Sequence, residues 1–205
     1  WQGDLSQPIS AWRIQTDTRA IQPGDIFLAL KGERFDGHQF ALQAIAKGAV
    51  ALLVSETLPT PAPQLVVSDT RLALGQLGQY HRLRMPDLSV VALTGSSGKT
   101  TTKEMLGSIV SLAGPTLMTR GNLNNDLGVP MMLLELMPSH RYAVMELGAN
   151  HRGEIAYTTQ LVQPQVAAVL NIGTAHLGEF GGREGIAHAK SEIFQGLSPT
   201  GIAVL

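Results

Sequence analysis

Four stretches of the 205-residue chain are apolar almost without interruption: Val90-Val91-Ala92-Leu93, Tyr142-Ala143-Val144-Met145, Val166-Ala167-Ala168-Val169-Leu170 and Ile202-Ala203-Val204-Leu205. A strand with one wet face alternates polar and apolar residues, so these runs read as strands buried on both faces, as in a parallel sheet flanked by helices. Helical stretches separate them, which is the texture of a nucleotide-binding α/β architecture. The expected fold class is therefore α/β, with a mostly parallel sheet of the phosphate-loop type. The last run reads as a strand just entered, so the expectation includes a sheet that is truncated at Leu205.

The segment before Met85-Pro86-Asp87 has a different texture. Short apolar runs, Ile26-Phe27-Leu28-Ala29-Leu30 and Ala49-Val50-Ala51-Leu52-Leu53-Val54, alternate with turn signals such as Lys31-Gly32. Between them Phe40, Ala41, Ala44 and Ile45 recur at helical spacing over His38 to Lys47, and Gly48 is placed to stop that helix. Pro59-Thr60-Pro61-Ala62-Pro63 lacks ladder donors and is expected to be a surface loop. A second helix is predicted from Asp69, a good N-cap, to about Leu83. The expected organisation is a small α/β domain over residues 1–86 and the first part of a larger one over residues 87–205.

The strongest chemical signal follows the first long strand. Val90 to Leu93 runs into Thr94-Gly95-Ser96-Ser97-Gly98-Lys99-Thr100-Thr101, and a helix follows in which Met105, Leu106, Ile109 and Val110 are expected to form the apolar face. Strand, glycine loop, Lys-Thr and helix together can cradle a polyphosphate: glycines let backbone N–H groups approach the oxygens, Lys99 adds charge, and the helix N-terminus adds its partial positive charge. Thr100 would offer its hydroxyl to magnesium. The usual phosphate-loop pattern has a glycine where this chain has Leu93. A glycine-serine turn between strand and helix needs no ligand, but the lysine and threonines at the helix start favour phosphate.

Other chemistries are narrowed by composition. With 15 basic and 16 acidic residues, nothing in the bulk charge points to nucleic acid or an anionic membrane. No cysteine is present, which excludes disulfides, thiolate metal sites and thiol catalysis. No apolar run approaches bilayer-spanning length and Trp1-Gln2-Gly3-Asp4 has no signal-peptide character, so a soluble cytoplasmic protein without membrane insertion is expected.

The compact Thr-Gly-Ser-Ser-Gly-Lys-Thr-Thr loop resembles that of the Mur ligases and their folylpolyglutamate synthase relatives. Gly121-Asn122-Leu123-Asn124-Asn125-Asp126-Leu127-Gly128-Val129-Pro130 and Met145-Glu146-Leu147-Gly148-Ala149-Asn150-His151-Arg152-Gly153-Glu154-Ile155 are similar to Mur ligase motifs as well. So is the first segment, with Asp17-Thr18-Arg19, Pro23-Gly24-Asp25-Ile26-Phe27 and Leu30-Lys31-Gly32-Glu33-Arg34-Phe35-Asp36-Gly37-His38. The resemblance covers essentially the whole chain. It implies a UDP-precursor-binding domain over 1–86, the start of a central ATP-binding domain over 87–205, and a C-terminal domain that the sequence lacks. It also implies a full-length monomer that uses ATP to join D-alanyl-D-alanine to UDP-N-acetylmuramoyl-tripeptide through an acyl phosphate. Alternatives are the family's ligation of a diamino acid to the UDP-muramoyl-dipeptide, and, outside the class, a non-catalytic nucleotide-binding module.

Site residues follow from the same resemblance. Gly95, Ser96, Ser97, Gly98, Lys99, Thr100 and Thr101 would bind ATP; Thr100, Glu146, His176 and Lys190 would hold magnesium, with Lys190 carbamylated. Lys99, Lys190 and His176 would be catalytic. Taken alone, Glu146 is equally a solvated strand-end acid, His176 a structural histidine and Lys190 a solvated helix lysine. Asp17, Thr18, Arg19, Lys31, Asp36, His38 and Asn125 are the expected contacts to the UDP-linked precursor. Arg19 or Asp36 would serve equally in a surface ion pair, and Asn125 equally as a helix cap.

Overall fold

The computed structural model describes residues 11, 13–32, 35–173 and 180–205. The chain forms two compact units, Trp1–Leu74 and Gly75–Leu205, each built on its own parallel sheet.

In the first unit β1 (Ile14–Gln15), β2 (Ile26–Leu28), β3 (Ala51–Val54) and β4 (Gln64–Val66) lie in chain order, all parallel. The expected strands around Ile26 and Ala51 are present, and Phe27, Leu52 and Val54 are core residues with Ile21, Ala29, Ala41 and Ala44. The helix expected from His38 begins as a 3-10 turn, Gly37–Phe40, and continues as α1 (Ala41–Ala46). Ala41 and Ala44 are buried, whereas Phe40 turns outward and stacks on Phe35 with ring centroids 5.4 Å apart. The proline run leads directly into β4, and its Pro63 carbonyl accepts the Leu52 N–H at 2.9 Å. Helix α2 (Thr70–Leu83) starts where Asp69 predicts, the Asp69 carboxylate accepting the N–H groups of Arg71 at 2.7 Å and Leu72 at 3.0 Å.

The second unit has β5 (Ser89–Thr94), β6 (Thr116–Met118), β7 (Tyr142–Glu146), β8 (Val166–Val169) and β9 (Ile202–Val204) in the order β6-β7-β5-β8-β9, all parallel. Helices α3 (Lys99–Ser111), α4 (Gly128–Leu133), α5 (Glu154–Val162) and α6 (Arg183–Ser191) connect them. Successive crossovers leave β5 in opposite directions, so β5 marks the topological switch point where open α/β sheets bind ligands. Val90, Ala92, Val129, Met132, Leu133, Met145, Ile155 and Ile193 are among the residues of the core. Among the described residues no helix is long and apolar enough to cross a membrane.

Two expectations are corrected here. The buried stripe of α3 is Lys103 and Gly107, with Leu106 and Val110 half-buried, while Met105 and Ile109 are 62% and 63% exposed. The reason is a close approach: a Cβ on Gly107 would lie 1.6 Å from Met118 Sδ, so glycine lets the helix sit directly on β6 and turns Met105 and Ile109 outward. The last apolar run does form a strand, but among the described residues β9 is paired only with β8 and is exposed along its length, not buried on two faces.

This burial pattern predicts opposite costs for two apolar residues of one unit. Leu133→Ala should destabilise the protein by about 2–5 kcal/mol, whereas Ile109→Lys should change stability by no more than about 0.5 kcal/mol. Chemical denaturation of the two variants checks the contrast.

Candidate active site

The phosphate loop leaves β5 at its carboxyl end and enters α3 at Lys99. Leu93, which stands where the longer loop pattern has glycine, is a fully buried strand residue in register with Glu146. The strand simply runs further, and the loop is correspondingly short. Gly98 caps α3 with φ of 74°, a left-handed conformation that suits glycine. Lys99 Nζ donates to Gly95 O at 2.9 Å, which holds the ammonium across the loop. Ser96 and Ser97 are fastened to the segment after β8: Ser97 N and Oγ donate to Asn171 Oδ1 at 3.1 and 3.3 Å, Asn171 Nδ2 donates to Ser97 O at 2.9 Å, and Gly173 N donates to Ser96 Oγ at 3.0 Å. Thr101 is an exposed residue in the first turn of α3.

Glu146 ends β7 on the neighbouring strand and is 2% exposed. Thr100 Oγ1 donates to its Oε2 at 3.0 Å, and Asn124 Nδ2 donates to its Oε1 at 2.8 Å. A hydroxyl and a carboxylate are hard oxygen donors of the kind magnesium selects, so the pair fits that ion, with the Asn124 amide N–H group orienting the carboxylate. Asn125 does something different: its Oδ1 accepts Gly128 N at 2.8 Å at the start of α4. Of the two asparagines, Asn124 therefore touches the acid and Asn125 shapes the helix start.

Lys190 projects from α6 and is 4% exposed. Burial, reinforced by the charge of Lys99, lowers its pKa to about 8, against smaller opposing effects of Glu192 and Glu154. Both of those carboxylates serve the start of α5, Glu192 accepting Gly153 N at 2.8 Å and Ala156 N at 3.1 Å, and Glu154 accepting Asn150 N at 2.8 Å. Gly95, Lys99, Asn124, Asn125, Glu154 and Lys190 share one cavity of about 290 Å³. His176 lies outside the described residues.

Apart from Asn125, the polar residues expected to bind the precursor belong to the first unit and are tied up locally. Arg19 grips Asp17 with Nη2 2.6 Å from Oδ2, and these hydrogen bonds hold the Asp17 carboxyl down to about 2. Thr18 is buried, its hydroxyl donating to Gln43 Oε1 at 3.0 Å. Lys31 pairs with Asp36 at 3.6 Å, and Asp36 accepts from His38, both from its backbone N at 3.0 Å and at its ring Nδ1 at 2.6 Å, which keeps the Asp36 carboxyl below its usual range. Asp36, His38 and Glu56 lie close enough to suggest a metal site. However, His38 Nε2 accepts the Ser55 N–H at 2.9 Å, so Nδ1 carries the ring proton and no lone pair is left for an ion.

The sequence does not single out Asn171 or Lys103, and of the paired asparagines it favours Asn125 over Asn124, the one that bonds Glu146. Asn171 follows a strand end at the carboxyl edge of the sheet, which is a usable signal. Lys103 had none, because a lysine in mid-helix reads as solvated.

Two family descriptions match the chain: "Mur ligase family, catalytic domain" over residues 13–82 and "Mur ligase middle domain" over residues 93–205. A UDP-N-acetylmuramoyl-tripeptide–D-alanyl-D-alanine ligase of Escherichia coli K12 is 58% identical over 192 residues, an alignment covering 94% of this chain and 42% of that protein. A crystal structure of MurF from Acinetobacter baumannii is 66% identical with a TM-score of 0.91, covering 94% of this chain and 43% of that one. The MurF ligase from Thermotoga maritima in complex with ADP is 34% identical with a TM-score of 0.88, covering 97% of this chain and 47% of that one. The chain thus spans less than half the length of these relatives.

A depressed lysine pKa has a definite consequence for stability. Below pH about 8 Lys190 is protonated in both states and the folded state bears the desolvation cost; between about 8 and the ordinary 10.5 only the unfolded state holds the proton, so stability rises with pH. Denaturant unfolding across that window should show the rise in the parent and a smaller one in Lys190→Met.

Proposed function

We propose, for a chain that belongs to the Mur ligase family, that it serves the ATP-dependent joining of D-alanyl-D-alanine to UDP-N-acetylmuramoyl-tripeptide in cytoplasmic peptidoglycan precursor synthesis. The observation that carries this reading is Glu146, buried at the end of β7 and bonded to Thr100 of the phosphate-loop helix and to Asn124. The 58% identity to the ligase of Escherichia coli supports the choice of substrates, and the ADP complex of the Thermotoga maritima relative supports the nucleotide. Residues 1–86 would bind the UDP-linked precursor and residues 87–205 the ATP. Asp17, Thr18, Arg19, Lys31, Asp36 and His38 would then act mostly by shaping their loops, since their polar atoms are engaged with one another and with neighbours.

In the first step the terminal carboxylate of the tripeptide attacks the γ-phosphorus of ATP. The new P–O bond forms as the bond to the β-phosphate oxygen breaks, giving an acyl phosphate and ADP. The amine of D-alanyl-D-alanine then attacks the acyl carbon, phosphate leaves with the C–O bonding pair, and the nitrogen loses a proton. Two anions must meet in the first step, so positioning and charge neutralisation are the main burden. Lys99 and the N-terminus of α3 meet the phosphates, and no nucleophilic side chain is needed. Thr100, Glu146, His176 and Lys190 would hold magnesium, which when bound neutralises charge on the transferring phosphoryl group. Carbon dioxide adds only to a neutral amine, and burial beside Lys99 favours that form of Lys190. The carbamate, formed as nitrogen bonds the carbon of carbon dioxide and gives up a proton to solvent, would be an anionic oxygen ligand.

In the full-length protein Lys99→Ala should lower amide formation by roughly 100-fold or more while leaving precursor-dependent thermal protection intact. Ligase rates equal to the parent's would refute the assignment. Lys190→Ala should lose activity and regain part of it with a small added carboxylate, whereas Lys190→Arg should not; equal responses of the two variants to the carboxylate count against the carbamate.

A further inference from the structure

We propose that Lys103 is a positioning residue for the carboxylate Glu146, acting from α3 through Thr119. The inference rests on the ligase reading in one respect, that it takes Glu146 as the carboxylate that holds magnesium.

Thr100, Lys103 and Gly107 form one stripe of α3, spaced by three and four residues, and this stripe faces β6 and β7. The Lys103 side chain is 2% exposed. Its ammonium donates to Thr119 O at 2.7 Å and pairs with the largely exposed Glu104 carboxylate at 2.7 Å. Thr119 follows directly on β6, and its N–H extends the ladder to Val144 O at 3.1 Å. The Thr119 hydroxyl in turn accepts the backbone N–H of Glu146 at 2.9 Å. Thr119 thus joins the two elements through its own covalent frame, its carbonyl held by Lys103 Nζ and its hydroxyl holding the Glu146 N–H, while Thr100 on the same helix face binds the Glu146 carboxylate.

The two links differ in what they fix. Thr100 orients the carboxylate; Lys103 and Thr119 set the height of the Glu146 backbone relative to the helix that begins at the phosphate loop. With both made, neither a slide of α3 along the strands nor a shift of the β6 end can occur without breaking a buried hydrogen bond. Filling this space would take only a methionine. Burying an ammonium carries a heavy desolvation cost, and what lysine adds over methionine is a directed donor aimed at one carbonyl. Groups that hold metal ligands in place typically matter by about 10–100-fold in metal affinity or activity.

The test uses full-length protein with Lys103→Met and, independently, Thr119→Val, which keeps the shape but removes the hydroxyl that meets Glu146 N. ADP affinity is measured by calorimetry with magnesium and with chelator, alongside the thermal midpoint. Both variants should weaken magnesium-dependent ADP binding by about tenfold, leave metal-free ADP binding at the parent's value, and Thr119→Ser should recover the parent's behaviour. Should Lys103→Met not fold, Lys103→Arg, which keeps a cation but changes the length and direction of the donor, tests the Lys103 link in its place, and Thr119→Val tests the link to Glu146. Folded variants with the parent's magnesium dependence overturn the inference alone, as does a lowered thermal midpoint with magnesium dependence unchanged. Parent protein that binds ADP without any response to magnesium overturns both this inference and the metal reading it rests on.

Discussion

Parallel pairing of β5 with β7 is the constraint from which the site follows. Register sets Leu93 opposite Glu146, so the residue just before the phosphate loop and the acid that ends the next strand come to the same edge of the sheet. Pairing of β5 with β8 on the other side sets Thr94 opposite Val169 and brings Asn171 against the loop. Because all these strands run the same way, everything at their carboxyl ends converges, and the α3 N-terminus is directed to the same place. A one-residue slip of β7 would turn Glu146 to the opposite face.

Electrostatics at this edge is organised by burial. Glu146, Lys103 and Lys190 are each less than 5% exposed, a costly placement for three charged side chains. Glu146 is met by a hydroxyl and a carboxamide, Lys103 by a carbonyl and Glu104, and Lys190 by the more distant charges of Glu154 and Glu192 against the like charge of Lys99. The first two are held by short hydrogen bonds and so fixed in direction. Lys190 is poised differently, its proton loosened by burial, which is the property a lysine needs in order to react with an electrophile near neutral pH.

The first unit shows how polar residues can be conspicuous in sequence without being open to a ligand. Asp36 accepts from His38, His38 accepts from Ser55, and Lys31 approaches Asp36 from across a bridge, so a triplet that looks like a binding cluster is closed on itself. Arg13 and Asp25 make a comparable link, with Nη2 2.8 Å from Oδ2, and it ties the start of the sheet to the turn before β2. Such pairs order the loops between short strands, whose two to four residues offer few ladder bonds of their own.

What the sequence by itself determined was local and periodic. Unbroken apolar runs gave β5, β7 and β8; Asp69 gave the start of α2; the Gly-Lys-Thr triplet gave the loop and the start of α3. Each depends on residues adjacent in the chain, where steric and hydrogen-bonding preferences act directly. The two- and three-residue strands β1 and β4 were invisible, since so short a segment has no period to read and exists only because a neighbour supplies partners. Tertiary structure alone decided which face of α3 is buried, because that rests on the contact of Gly107 with Met118, distant in sequence, and it was this contact that overrode the apolar spacing of Met105 and Ile109. It alone decided that Asn124 reaches Glu146 while Asn125 caps α4, a distinction between identical neighbours that turns on direction and not on type. And it alone buried Lys103: a charge in mid-helix is solvated by default, and a carbonyl presented at the end of another strand, together with the neighbouring Glu104 carboxylate, makes its burial tolerable.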